Sequence, residues 1–222
     1  MKVKVCGMTK LDQLHQLGEM GVQYAGFIFY APSPRYVFKN GLTGGDVKKA
    51  KLKVYKVGVF VDASFEEIKK QIDAFGLDMV QLHGHETPYE CQKIAAYIDV
   101  IKAFRFAEND HVGWMIKDFY ADTDMFLFDT GVPVPKEDRN NKALYGGTGR
   151  KFDWNRLKGL NVGKPFFLSG GIEPGDAGLV KDFMKDPVAK DMMVVDINSR
   201  FEMAPGIKDM EKVQHFITEL HS

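Results

Sequence analysis

Six polar residues stand where an apolar run stops: Cys6, His83, Arg105, Asp129, Ser169 and Asp196. Packing alone does not call for a thiol and two carboxylates at the ends of buried segments. A thiolate at Cys6 would serve as base or nucleophile if its environment favoured the ionised form. Asp129 follows Met125-Phe126-Leu127-Phe128, and such surroundings disfavour a charged carboxyl, as a general acid near neutral pH requires. Asp196, after Val194-Val195, has the same character. A small buried core cysteine and loop-capping carboxylates are the plainer alternatives. Cys91, inside a helical segment after Glu90, reads as packing. The pair His83 and His85 would face one ion from a strand, yet no further ligand cluster accompanies it, and His83 reads better as a neutral hydrogen-bonding group. Two glycine-rich stretches, Gly146-Gly147-Thr148-Gly149 and Ser169-Gly170-Gly171, offer backbone amides of the kind that cradle a phosphate. No G-x-G-x-x-G follows the first apolar run, so a dinucleotide is not indicated.

These residues need elements to position them, and the chain alternates short β-rich runs with longer amphipathic ones. The strand-like runs are 3–6, 24–29, 54–61, 78–83, 99–106, 125–129, 165–171 and 192–197. Helical spacing follows each: Leu14 and Leu17 after a Thr9/Asp12 capping pair, Ile68, Ile72 and Phe75 after an N-cap at Ser64, and Met210, Val213, Phe216, Ile217 and Leu220 at the end. Shorter helices are predicted near 45–50, 89–97, 112–119, 153–157 and 176–184. Eight strand–helix units imply right-handed crossovers and a parallel sheet. Runs such as VGVFV and MFLF are apolar throughout, as in sheets covered on both faces. With no composition break, the expectation is one domain, residues 1–222, folded as an α/β (β/α)8 TIM barrel; a doubly wound open sheet is the alternative. In the barrel, chemistry belongs at the carboxyl ends of the strands, where all six polar residues lie.

Composition narrows the partners. The chain has 222 residues, 30 basic and 30 acidic side chains and no formal net charge, with the two signs interspersed. That argues against nucleic acid and against an anionic membrane surface. No apolar run approaches the roughly 20 residues needed to span a bilayer. The N-terminus enters strand-like sequence without a signal-peptide region, and two cysteines make no disulfide framework, so the expected setting is the cytoplasm.

In order along the chain, several motifs resemble one family. Lys4-Val5-Cys6-Gly7-Met8-Thr9 is similar to the opening motif of the phosphoribosylanthranilate isomerases of tryptophan biosynthesis. Gly26-Phe27-Ile28-Phe29-Tyr30 with Ser33-Pro34-Arg35-Tyr36, Val57-Gly58-Val59-Phe60-Val61, Gln81-Leu82-His83-Gly84, Asp129-Thr130 and Gly146-Gly147-Thr148-Gly149 follow in the family's order. Phe152-Asp153-Trp154, Ser169-Gly170-Gly171, Val195-Asp196 and Pro205-Gly206-Ile207-Lys208-Asp209 complete the resemblance.

The resemblance implies an isomerase on a (β/α)8 barrel that uses no cofactor and no metal. The implied reaction is an Amadori rearrangement of N-(5-phosphoribosyl)anthranilate to 1-(2-carboxyphenylamino)-1-deoxyribulose 5-phosphate. Asp129 would be the general acid at the furanose ring oxygen and Cys6 the general base at sugar carbon 2. Arg35 would take the anthranilate carboxylate, and His83 and Asp196 would line the substrate. Gly146, Gly147, Thr148, Gly149, Gly170, Gly171, Asn198 and Ser199 would hold the phosphate. The implied partner is this small phosphosugar, bound by a monomer or homodimer. Where many members read Ser-Ser-Gly, this chain has Asn198-Ser199-Arg200: losing the glycine restricts the backbone, while Arg200 could add a charge-assisted phosphate contact, and the role of this loop stays open. The long stretch after Asp129, with Pro133, Pro135 and the charged run 136–142, reads as a candidate lid. Two other readings stand beside this one. One is a related phosphosugar barrel enzyme, either a metal-dependent epimerase or an indole-glycerol-phosphate synthase type with Lys102 as its strand lysine. The other is a phosphosugar-binding protein without catalysis.

Overall fold

The eight apolar runs form parallel strands that pair in sequential order, and the eighth closes on the first. The computed structural model describes residues 1–106, 110–130 and 153–222. Its strands are β1 (Lys2–Val5), β2 (Tyr24–Ile28), β3 (Tyr55–Phe60), β4 (Met79–Leu82), β5 (Asp99–Phe106), β6 (Met125–Thr130), β7 (Phe166–Leu168) and β8 (Met192–Ile197). The helices are α1 (Leu11–Glu19), α2 (Gly44–Lys49), α3 (Phe65–Phe75), α4 (Pro88–Ala95), α5 (Val112–Lys117), α6 (Ala177–Phe183) and α7 (Met210–His221). A short 3-10 turn, Trp154–Leu157, stands between β6 and β7. Closure settles the choice against an open sheet: β1 pairs with β8 in the register Lys4 to Asp196. A β-hairpin of β9 (Glu202–Ala204) and β10 (Ile207–Lys208) interrupts the last unit and was not anticipated from the sequence.

Helix starts follow side-chain chemistry. Ser64 accepts from the Glu67 amide, and Thr43 with Asp46 and Thr87 with Glu90 form capping boxes ahead of α2 and α4. Thr9 does not cap α1 as expected, since Lys10 holds the N-cap position without a side-chain bond. Its hydroxyl instead donates to the Gly206 carbonyl at 2.5 Å and accepts from Asn40, tying the turn after β1 to the hairpin. Among the described residues no helix is long and apolar enough to cross a membrane.

Alternation along each strand separates two sets of side chains. One set packs outward against the helices, Phe27, Phe60, Phe126 and Phe166 among them. The other fills the barrel: Tyr24, Val57, Met79, Ile101, Ala103, Met125, Leu127, Phe167 and Val194. Stepping two residues onward from these interior positions reaches Val59, Gln81, Arg105, Asp129, Ser169 and Asp196, and Cys6 packs with Ile28 and Val59 in the layer above. The polar strand-end residues therefore share one parity and one end of the barrel.

Candidate active site

On β1, Lys4 and Cys6 share the inward parity, and Lys4 is fully buried. Its ammonium donates to Asp196 Oδ1 at 3.0 Å and to Gln81 Oε1 at 2.9 Å, and it interacts electrostatically with the Cys6 thiol. Burial alone would pull this amine down, but Asp196 and Cys6 outweigh it and raise it above its ordinary value. The Cys6 thiol is pushed up by burial, against the pull of Lys4 and Lys208. Burial likewise pushes the Asp196 carboxyl up despite its ion pair with Lys4. The sulfur occupies space that only a glycine at 26 leaves, since a Cβ on Gly26 of β2 would sit 2.8 Å from it.

Across the barrel, His83 follows β4 and Asp129 lies in β6. His83 Nε2 is 3.5 Å from Asp129 Oδ2, and no hydrogen bond satisfies that buried nitrogen. His83 Nδ1 contacts Gln81 Nε2 at 2.8 Å. The two histidines diverge: His85 is exposed beside Asp62, while His83 faces the barrel interior, so they do not share an ion. Cys91 is packing, as expected, its thiol pushed up to about 12 by burial.

Arg35, expected to receive a carboxylate, already grips one of the protein's own. Its Nε lies 2.9 Å from both Glu202 oxygens and its Nη2 2.8 Å from Oε2, so only Nη1 is left outside the fork. Lys208, fully buried on β10, donates to Glu202 Oε1 and to Asn198 Oδ1, each at 2.8 Å. The sequence reading did not single out Glu202 or Lys208. The turn between Cys6 and Arg35 requires Gly7: its φ is +75°, and a Cβ there would meet Arg35 Cδ at 2.8 Å and Asn198 Oδ1 at 2.9 Å.

Burial would push Glu202 up, yet Arg35 and Lys208 hold its carboxyl below the usual range. A carboxyl lowered on folding stabilises the fold fully above its unfolded value, and that contribution is lost as pH falls through the folded value. Urea midpoints should therefore fall steeply below about pH 4.3, the unfolded glutamate value. Glu202→Gln should lower the midpoint at neutral pH and flatten this acid limb; an unchanged limb would rule the network out as its source.

At the mouth, Gly170 and Gly171 have φ of +99° and +70°, a turn open to glycine. Among the described residues the amides of Gly170, Gly171 and Ser199 donate to no protein acceptor, and a 3-10 turn, Ser199–Phe201, begins there. Arg200, half exposed, faces Glu173 at 3.4 Å. Gly146, Gly147, Thr148, Gly149 and the candidate lid lie outside the described residues.

Residues 3–219 match the family model of N-(5'-phosphoribosyl)anthranilate (PRA) isomerase. The chain belongs to the N-(5'-phosphoribosyl)anthranilate isomerase family. A relative of that name from Phocaeicola vulgatus is 36% identical over 99% of this chain and 98% of its own. One from Parabacteroides distasonis is 34% identical over 99% and 93%. A solved phosphoribosyl anthranilate isomerase in complex with reduced 1-(o-carboxyphenylamino)-1-deoxyribulose 5-phosphate superposes with a TM-score of 0.75 at 28% identity. That likeness covers 100% of this chain and 98% of the other.

Membership in the isomerase family and strand parity bear on the alternatives together. Lys102, the lysine that a synthase-type reading would use, lies between inward-facing Ile101 and Ala103 and points outward. It is buried there against Glu86 Oε2 at 2.6 Å and the Gly84 carbonyl at 2.9 Å. The inward strand lysine is Lys4, overlooked in the sequence reading.

Proposed function

We propose that the chain converts N-(5-phosphoribosyl)anthranilate to 1-(2-carboxyphenylamino)-1-deoxyribulose 5-phosphate with Asp129 as general acid and Cys6 as general base. Asp129 gives its proton to the furanose ring oxygen as the bond from that oxygen to carbon 1 breaks and the anilino nitrogen lone pair forms the C=N bond. Cys6, as thiolate, removes the proton from carbon 2, and the electron pair flows to the nitrogen to give an enolamine. Tautomerisation of the enolamine leaves the ketone. The observation that carries this reading is the convergence of a thiol and a carboxyl, from β1 and β6, on the same end of the barrel with inward parity.

Support for the phosphate end comes from the unpaired amides of Gly170, Gly171 and Ser199, with the amide loop 146–149 proposed to complete it. Such donors suit a dianion without requiring net positive charge. Nη1 of Arg35, at the rim of its fork with Glu202, is proposed to meet the anthranilate carboxylate. His83 and Asp196 are proposed to line the sugar. The proposed setting is cytoplasmic, and the proposed assembly a monomer or homodimer.

Phosphoribosylanthranilate fluoresces, so the test is direct. Its fluorescence should decay on adding the protein, with chelator making no difference. Tight binding of the reduced product analogue with no decay would replace the isomerase by the binding-protein reading.

A further inference from the structure

A line of polar groups, buried from Asp196 to His83 and partly buried at Asp129, crosses the barrel from the base side to the acid side. It runs Asp196, Lys4, Gln81, His83, Asp129, and so joins β8, β1, β4 and β6. Its direction is set by chemistry rather than by choice of coordinates. Lys4 has donors only, so the Gln81 atom 2.9 Å from its ammonium must be the amide oxygen. The amide nitrogen then faces His83 Nδ1 at 2.8 Å, and a donor there demands a bare ring nitrogen. A neutral imidazole with a bare Nδ1 carries its proton on Nε2. That Nε2–H is the buried atom without a hydrogen bond, 3.5 Å from Asp129 Oδ2.

We infer that Lys4 and Gln81 are positioning residues that fix His83 as the Nε2–H tautomer, so that His83 is a donor, never an acceptor, toward Asp129. The inference rests on the acid role proposed for Asp129. With Oδ2 facing a donor, Oδ2 is not the oxygen that carries a proton on Asp129. His83 with a bare Nε2 would instead compete with the sugar oxygen for that proton. Once the proton has left, the carboxylate gains the Nε2–H bond that the resting geometry leaves long. Hydrogen bonds of catalytic groups that are long at rest commonly tighten as the reacting complex forms. An interaction that strengthens as charge develops lowers the barrier rather than the ground state. A buried N–H without a partner, otherwise a defect, thereby acquires a use.

The test is nitrogen-15 NMR of the imidazole ring, run on the wild-type protein and on Gln81→Glu without substrate. In the wild type near pH 7, His83 Nδ1 should resonate as a bare nitrogen and Nε2 as a protonated one. Gln81→Glu offers an acceptor to Nδ1 and should protonate it. Whether Nε2 then goes bare or the ring becomes imidazolium, Asp129 loses its transferable proton. kcat should fall about 100-fold, as when one positioned donor is removed, with KM within about threefold. A protonated Nδ1 in the wild type overturns the inference with no variant needed. Unchanged kcat in a Gln81→Glu protein whose Nδ1 has become protonated overturns it as well. The tautomer is read without turnover, so it stands or falls separately from the reaction assigned to the site.

Discussion

Cys6→Ser and Asp129→Asn should each lower kcat by about 10² to 10⁴-fold, the range for loss of a positioned acid or base, while the reduced product analogue still binds. The two losses should be distinguishable. A serine hydroxyl in place of the thiol leaves no group able to reach the anion at neutral pH, so proton removal from carbon 2 becomes limiting. Substrate deuterated at carbon 2 should then show a primary isotope effect in Cys6→Ser. Asp129→Asn stalls ring opening, an earlier step, and should show none. Burial raises the Cys6 thiol, and the proposed base must be ionised in the free enzyme, so wild-type kcat/KM should climb with pH. Its midpoint should lie above the ordinary thiol value of about 8.5. Near-normal turnover by both folded variants would remove the acid–base assignment altogether.

The second large effect is on stability. Lys4→Met takes one partner from a fully buried ion pair and leaves Asp196 facing an apolar side chain. Breaking such a pair costs about 3–5 kcal/mol, roughly 6 to 20 °C in Tm for a domain of this size. The cost belongs to the orphaned carboxylate and not to the pair as such. Adding Asp196→Leu should therefore recover most of the lost Tm, since apolar replacement of both partners is often close to neutral. Activity should not return, because Gln81 would remain without its ammonium. If the double variant melts no higher than Lys4→Met, the penalty has another origin.

Much of this architecture is legible in local sequence. The runs at 99–106, 125–129 and 192–197 are apolar enough to mark buried strands, and Cys6, Asp129 and Asp196 are conspicuous at their ends. Ser64 announces α3 for the same local reason. The remainder depends on partners distant in the chain. Lys4 sits in KVKVC, where alternation says only that it shares a face with Cys6. That this face is enclosed follows from β1 meeting β8, a pairing without local signature. Lys102 reads as the candidate strand lysine of a synthase, although parity with Ile101 and Ala103 gives its outward direction. Glu202 and Lys208 read as surface charges until the β9–β10 hairpin folds over Arg35. Thr9 was drawn to the nearest helix when its partner, Gly206, lies 197 residues away. Short-range chemistry thus announces elements, whereas the counter-charges of buried groups are chosen by topology.

The Lys4–Asp196 pair also has a schedule. Its members are separated by 192 positions, so at 5–20 residues per second a ribosome takes roughly 10 to 40 s to deliver the second after the first. Throughout that interval the growing chain holds a lysine destined for the interior with no anion to meet it. The barrel cannot shut around a lone ammonium, and so the last barrel strand to emerge is the one that permits the first to be buried. Competence for the reaction and completion of the core arrive together, late in synthesis, and a chain cut short before β8 has neither.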